Sequence, residues 1–178
     1  MKTNILFIGM PGTGKSTLGK LLAEYTSLQF VDVDALIDAS VDMPAQKILD
    51  TLGDDGYGKL EETALNNVQG DGLVIATGGS AIYQQAAILR LKKRALIIHL
   101  QAQADNLLER INDFEQRAIV RAKQLSFVDL YAERMPLYSA VADIEFYTDQ
   151  EELSVEKNVE KLITLLDQWP NFHWIHAK

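Results

Sequence analysis

The sequence predicts an α/β protein, a three-layer α/β/α fold around a parallel sheet of five strands. Three observations predict it. Apolar runs of strand length alternate with segments of helical periodicity, the pattern of parallel strands joined by helical crossovers. The first of these runs passes without a break into a glycine-rich loop and then into an amphipathic helix. Finally, 178 residues without an internal repeat, a low-complexity tract or a Pro/Gly/Ser-rich linker suit a single domain spanning 1–178.

Taken in order, strands are expected at residues 4–8, 29–33, 73–76, 95–100 and 144–148, each a short apolar run bounded by polar or turn residues. The helix after the first strand carries Leu18, Leu21, Leu22 and Tyr25 on one stripe, and the last helix carries Val155, Val159, Leu162, Ile163 and Leu166. Both stripes are expected to face the core. Residues 34–70 are helical but interrupted by Met43-Pro44 and Gly53-Asp54-Asp55-Gly56, which suits an excursion that binds substrate, centred on 34–62. Residues 112–124 are polar, basic and weakly periodic, the composition of a lid that closes over a reaction and excludes water. The tail, 169–178, is aromatic and is expected to pack on the body or on a neighbour.

Composition bounds the function. The formal net charge of -8 opposes general nucleic-acid binding, which needs a basic face. No apolar run reaches bilayer length, and Met1-Lys2-Thr3 leads directly into the first strand with no signal-peptide pattern, so a cytoplasmic protein without a membrane partner is expected. The sequence contains no cysteine, which removes disulfides and thiolate metal sites. Against this acidic background Arg110, Arg117, Arg121, Lys123 and Arg134 fall close together, a set that could form a positive pocket for a small anion.

Gly9-Met10-Pro11-Gly12-Thr13-Gly14-Lys15-Ser16-Thr17 fits GxxxxGK[ST], a phosphate-binding loop, in its expected setting between strand and helix. Glycines let backbone N–H groups curl around an anion, and the helix that follows aims its positive end at the same point. Gly12, Thr13, Gly14, Lys15, Ser16 and Thr17 are therefore expected to bind a nucleoside triphosphate, with Lys15 on the β and γ phosphates and the Ser16 hydroxyl on Mg2+. Phe30-Val31-Asp32-Val33-Asp34 places two carboxylates at the end of the second strand, on one face by the two-residue period. Ligands in open α/β sheets lie beyond the carboxyl ends of the strands, so one carboxylate can hold magnesium through water while the other accepts a hydroxyl proton. Ile75-Ala76-Thr77-Gly78-Gly79-Ser80 ends the third strand with a second glycine turn.

These motifs, followed by Tyr57-Gly58-Lys59-Leu60-Glu61, Arg117 in QRAIV and Arg134 in ERMPLYSAVAD, make the chain resemble the shikimate kinases over residues 3–168. The resemblance implies a P-loop kinase fold and ATP-dependent phosphorylation of a hydroxyl on a small cyclic hydroxy acid, shikimate to shikimate 3-phosphate. It also implies the residue roles. Lys15, Asp34 and Arg117 are catalytic, Arg117 from the lid. Ser16 and Asp32 serve the metal, and Arg110 lies against the adenine. Asp34, Gly78, Gly79 and Arg134 bind the acceptor, Arg134 through its carboxylate. A monomer is expected.

The chain departs from the family pattern at one telling place. Where the family has an arginine after the aromatic residue, Gly58 stands here, and the loss of one member of a desolvated charge contact costs about 2 to 5 kcal/mol. Glu61, on the apolar side of its helix, is then left to find another partner, for which Lys59 is poorly placed. Ser80, in place of a third glycine, can fill space or offer a hydrogen bond. Two other readings stay open at this level: a kinase of the same fold acting on another polyol or sugar acid, and a nucleotide-binding regulator that transfers nothing.

Overall fold

Asn4–Ile8 (β1) has all five residues buried, the mark of a strand flanked by neighbours and covered on both faces. The computed structural model, which describes residues 1–111, 119–121, 124–149 and 154–175, surrounds it with Gln29–Asp32 (β2), Leu73–Ala76 (β3), Ala95–Gln101 (β4) and Ile144–Tyr147 (β5). The order across the sheet is β2-β3-β1-β4-β5 and every pairing is parallel. Register follows the apolar pattern: Leu6 lies opposite Ile75 on one side and Ile97 on the other.

The helices are Lys15–Thr26 (α1), Val33–Val41 (α2), Ala45–Asn67 (α3), Gln85–Lys92 (α4), Ala104–Arg110 (α5), Phe127–Val141 (α6) and Val155–Asp167 (α7), with a 3-10 turn over Gly79–Tyr83. Alternation along β1 divides the core between the two faces of the sheet. Ile5 and Phe7 pack with Leu18 and Leu22 of α1 and Val159, Leu162 and Leu166 of α7. Leu6 and Ile8 pack with Ile48 and Leu65 of α3, Ile88 of α4 and Leu130 and Tyr138 of α6. Each such side chain, removed fully from water, contributes about 1.5 to 3 kcal/mol.

Three local expectations need correction. Tyr25 is 52% exposed and Val155 is 36% exposed, so both stripes are narrower than their spacing suggested. The second strand stops at Asp32, whose carboxylate caps α2 by accepting from the backbone N–H groups of Asp34 and Ala35. Asp34 therefore sits in the first turn of a helix, not on the strand face it was expected to share with Asp32. Within 34–70, Pro44 caps α3 while Gly53, at φ 68 and ψ -176, breaks it into two pieces. Gly56 and Gly58 stay inside its second piece.

At the opposite end of β1 from the phosphate loop, residues 169–175 of the tail lie against the body. Lys2 bridges to Phe172 in parallel, its N–H donating to Asn171 O and its carbonyl accepting from His173 N. Phe172 is buried and meets Trp174 edge to face at 4.9 Å, and the Trp174 indole N–H donates to Asp167.

Candidate active site

The carboxyl ends of β1, β2 and β3 open on a cleft of about 590 Å³. Pro11, Gly12, Gly14, Lys15, Ser16 and Thr17 line one wall, Asp34, Ala45 and Tyr57 another, and Thr77, Gly78, Gly79 and Ser80 the floor. Arg110, Ile119, Val120 and Arg134 complete it. The structure thus brings Gly12, Gly14, Lys15, Ser16, Thr17, Asp34, Gly78, Gly79, Arg110 and Arg134 to the wall of one cleft. Thr13 is buried behind the loop, its hydroxyl donating to Met10 O. Arg117, Lys123 and most of the lid expected at 112–124 lie outside the described residues; Ile119 and Val120, from that segment, form part of the cleft wall.

The loop has the form of an anion cradle. Gly12 and Gly14 adopt φ 84 and 87, a region open to glycine, and Gly14 caps α1 so that the first free N–H groups of the helix face the cleft. Lys15 is buried and its ammonium donates to Gly9 O at 2.9 Å and Met10 O at 2.8 Å. Burial lowers its pKa to about 8, although Asp34 and Asp32 pull the other way. It remains a cation at neutral pH.

Ser16 donates its hydroxyl hydrogen to Asp32 Oδ2 at 2.8 Å, which turns the oxygen's lone pairs toward the cleft. A hydroxyl backed by a carboxylate, at the mouth of a phosphate cradle, fits a magnesium ion that keeps waters and phosphate oxygens as its other ligands. Among the described residues no cluster of three or more His, Asp or Glu is placed to hold a metal ion.

Asp34 is exposed to the cleft and stands against the backbone of Gly78; a Cβ there would lie 2.6 Å from Asp34 Oδ1 and 2.9 Å from Glu61 Oε1. That is why residue 78 is glycine. Desolvation by the surrounding walls raises the Asp34 carboxyl to about 6 against the opposing pull of Lys15, so it is ionised, and able to accept a proton, just below neutral pH. Gly79 is needed for a similar reason, since a Cβ would lie 2.8 Å from Pro11 Cδ and 3.0 Å from Arg134 Nη1.

Arg134, 1% exposed, is the deepest charge in the site. Its Nε donates to Tyr83 Oη at 3.2 Å and its Nη2 to Val120 O at 3.0 Å, and the guanidinium lies 5.2 Å from the Tyr83 ring centre. Among the described residues no carboxylate pairs with it within 4.0 Å. A buried, permanently charged group without a counterion calls for an anionic ligand.

Sequence reasoning missed what holds this arginine. Tyr83 donates to Glu133 Oε1 at 2.5 Å, and Arg121, whose guanidinium lies 6.0 Å from the centre of the same ring, donates to that oxygen at 2.8 Å. Arg121 itself reaches α3, its N–H donating to Asp54 Oδ1. Residues 83, 121, 133 and 134 are brought together only by the tertiary fold, although the Glu133-Arg134 adjacency on α6 was readable.

Glu61 is wholly buried. Ser80 donates its hydroxyl to Oε1 at 2.9 Å and the Gln84 side-chain amide also steadies the carboxyl; Lys59 is exposed and plays no part. Desolvation, which Ser80 opposes, pushes the carboxyl up to about 8.

The comparisons with known proteins agree with this geometry. The shikimate kinase family model matches residues 11–167. A shikimate kinase of Mannheimia succiniciproducens is 33% identical over 172 residues, covering 94% of this chain and 97% of that protein. The solved shikimate kinase of Acinetobacter baumannii in complex with shikimate superposes with a TM-score of 0.82 at 30% identity, covering 93% of each chain. That of Aquifex aeolicus gives 0.79 at 27%, covering 92% of this chain and 96% of that one. With the family model matching most of its length and relatives of that family matching almost end to end, the chain belongs to the shikimate kinase family.

Proposed function

We propose that the protein transfers the γ-phosphoryl group of ATP to a hydroxyl of shikimate, giving shikimate 3-phosphate and ADP. The observation that carries this reading is the buried Arg134 guanidinium without a carboxylate partner, in one cleft with a phosphate cradle and Asp34. It supplies the grip for an anionic acceptor, while Asp34 supplies the base.

Gly12 to Thr17 hold the triphosphate through backbone N–H groups, and Lys15 exchanges its contacts with Gly9 O and Met10 O for the β and γ phosphates. Ser16, steadied by Asp32, would hold magnesium, which when bound offsets charge on those phosphates. Arg134 fixes the acceptor by its carboxylate, and Gly78 and Gly79 let it lie close to Asp34. As the acceptor oxygen bonds to phosphorus and the bond to the ADP oxygen breaks, Asp34 accepts the hydroxyl proton. In this reading Arg117 comes from the lid to the transferred phosphate, and Arg110, at the cleft rim, lies against the adenine. The substrate-binding region is 34–62, carried on α2 and α3. No helix among the described residues is long and apolar enough to cross a membrane, in keeping with a cytoplasmic enzyme.

A second reading, transfer to another cyclic hydroxy or sugar acid, draws on Gly58, which leaves space beside the acceptor wall. One experiment decides between them: ADP release is followed with ATP, magnesium and a panel of cyclic hydroxy acids and sugar acids, with Lys15→Ala as control. Shikimate as the best acceptor, with no turnover by the variant, supports the proposal. A different best acceptor replaces it with the second reading, and no acceptor-dependent turnover at all leaves a nucleotide-binding regulator.

A further inference from the structure

The peptide unit between Val120 and Arg121 is held at both ends. Its carbonyl, Val120 O, accepts from Arg134 Nη2 at 3.0 Å, and its N–H, on Arg121, donates to Asp54 Oδ1 at 3.1 Å. The unit is trans, so the two groups point in opposite directions and one line of hydrogen bonds runs from the Asp54 carboxylate through the peptide to the buried guanidinium. Such a line is cooperative. A carboxylate on the N–H draws negative charge onto the carbonyl and makes it a better acceptor. Arg134, which has no carboxylate in direct contact among the described residues, thus meets one across a single peptide.

The surroundings hold this peptide in place. The break of α3 at Gly53 comes immediately before Asp54, whose other oxygen, Oδ2, accepts from the Gln124 side-chain amide at 3.0 Å. One carboxylate therefore grips both sides of the turn in which Gln124 N and Leu125 N donate to Arg121 O. Arg121 itself stands at φ 69, a left-handed conformation that a side chain disfavours and that persists only where its neighbours fix it. The Arg121 guanidinium is engaged by Glu133, so its backbone, not its side chain, carries the link to Arg134.

We infer that Asp54 is a positioning residue for acceptor binding: through the 120–121 peptide it fixes the orientation of the Arg134 guanidinium, and so sets how well the site grips a carboxylate. This role rests on Arg134 being the acceptor's anchor in the kinase reading. Asp54 does not line the cleft and acts through Arg134 alone. Without it the peptide has no anchor on α3, and the left-handed turn at Arg121 can relax and carry Val120 O away from Nη2.

The test compares two variants of a half-buried residue at the edge of α3, where replacement leaves the core intact. Asp54→Ala removes the acceptor of the Arg121 N–H, whereas Asp54→Asn keeps an oxygen there and gives up only the charge. In ADP release with ATP and magnesium, Asp54→Ala should raise the shikimate KM at least about tenfold while the ATP KM stays within about twofold, and Asp54→Asn should stay within about threefold of the parent for both. General loosening of the wall would move both KM values and would not be rescued by asparagine. Nitrogen-15 NMR of the free protein reads the arginine directly: the Arg134 Nη2 hydrogens should exchange with solvent at least about tenfold faster in Asp54→Ala and near the parental rate in Asp54→Asn. The inference is overturned if Asp54→Ala leaves the shikimate KM unchanged, if it raises the ATP KM equally, or if Nη2 exchange is the same in parent and Asp54→Ala. Absence of shikimate-dependent turnover in the parent is instead a failure of the kinase reading, and the exchange rates of the free protein then decide alone whether Asp54 holds Arg134.

Discussion

Replacing Glu61 by glutamine should stabilise the protein at neutral pH and leave its stability almost unchanged in acid. In the unfolded chain the carboxyl ionises near 4.5, whereas burial holds the proton in the fold up to about 8. Between those values the folded state binds more protons than the unfolded one, so stability falls as pH rises through the interval. Each pH unit inside it costs about 1.4 kcal/mol, which makes the deficit roughly 3 kcal/mol at pH 7 and under about 1 kcal/mol at pH 5. Glutamine keeps the shape and a carbonyl that can accept from Ser80 at the same position, but has no proton to lose. Urea unfolding of both proteins at the two pH values measures the effect. The gain of Glu61→Gln over the parent should grow by about 2 to 3 kcal/mol between pH 5 and pH 7. A gain that is the same at both pH values would refute the reasoning, because it would mean that Glu61 ionises in the fold as readily as in water.

Asp34→Asn should lower phosphoryl transfer by at least about tenfold while ATP affinity holds, since the amide cannot accept the hydroxyl proton. In the parent, kcat/KM should climb with pH up to about 6, where Asp34 becomes ionised, and then level off; a profile flat from pH 5 to 8 would remove Asp34 from that role. Arg134→Lys gives up the guanidinium fork toward an acceptor carboxylate, so the shikimate KM should rise at least about thirtyfold with the ATP KM unchanged; equal effects on both would point to general loosening of the wall at Val120. At residue 58 an added Cβ meets only the Gln84 amide, 3.0 Å away, and Gly58→Arg removes a helix-weakening glycine, so a stability gain of up to about 1 kcal/mol should accompany a shikimate KM lowered by tenfold or more. An unchanged or higher KM would show that the acceptor site does not use a second guanidinium at that wall.

The strands were legible because a parallel sheet buries both faces of its strands: Leu73-Val74-Ile75-Ala76 and the run from Ala95 onward are continuous apolar segments that little else explains. The phosphate loop was legible because its chemistry depends on local backbone alone. Asp34 was placed in the right cleft for the wrong local reason, since the Asp32 cap ends the strand two residues earlier and the helix start, not the strand face, aims the side chain. The break at Gly53 and the continuity through Gly56 and Gly58 carry the same local glycine signal. Only packing against the core separates them. The partner of Glu61 was invisible for a similar reason: Ser80 is nineteen residues away in sequence and reaches it only through the 3-10 turn. The tyrosine between Arg121 and Arg134 depends on four residues from three separate segments, which no spacing rule connects.

The bridge between Lys2 and Phe172 sets a practical geometry for handling the molecule. Both segments meet at the amino end of β1, whereas the cleft opens at its carboxyl end, five residues and roughly 17 Å further along the strand. A surface tether, a fusion partner or a fluorophore attached beside that bridge therefore stands on the far side of the sheet from the nucleotide loop. Immobilised through that side, the enzyme presents its open face to solution, and neighbouring molecules on the same support leave one another's clefts unobstructed.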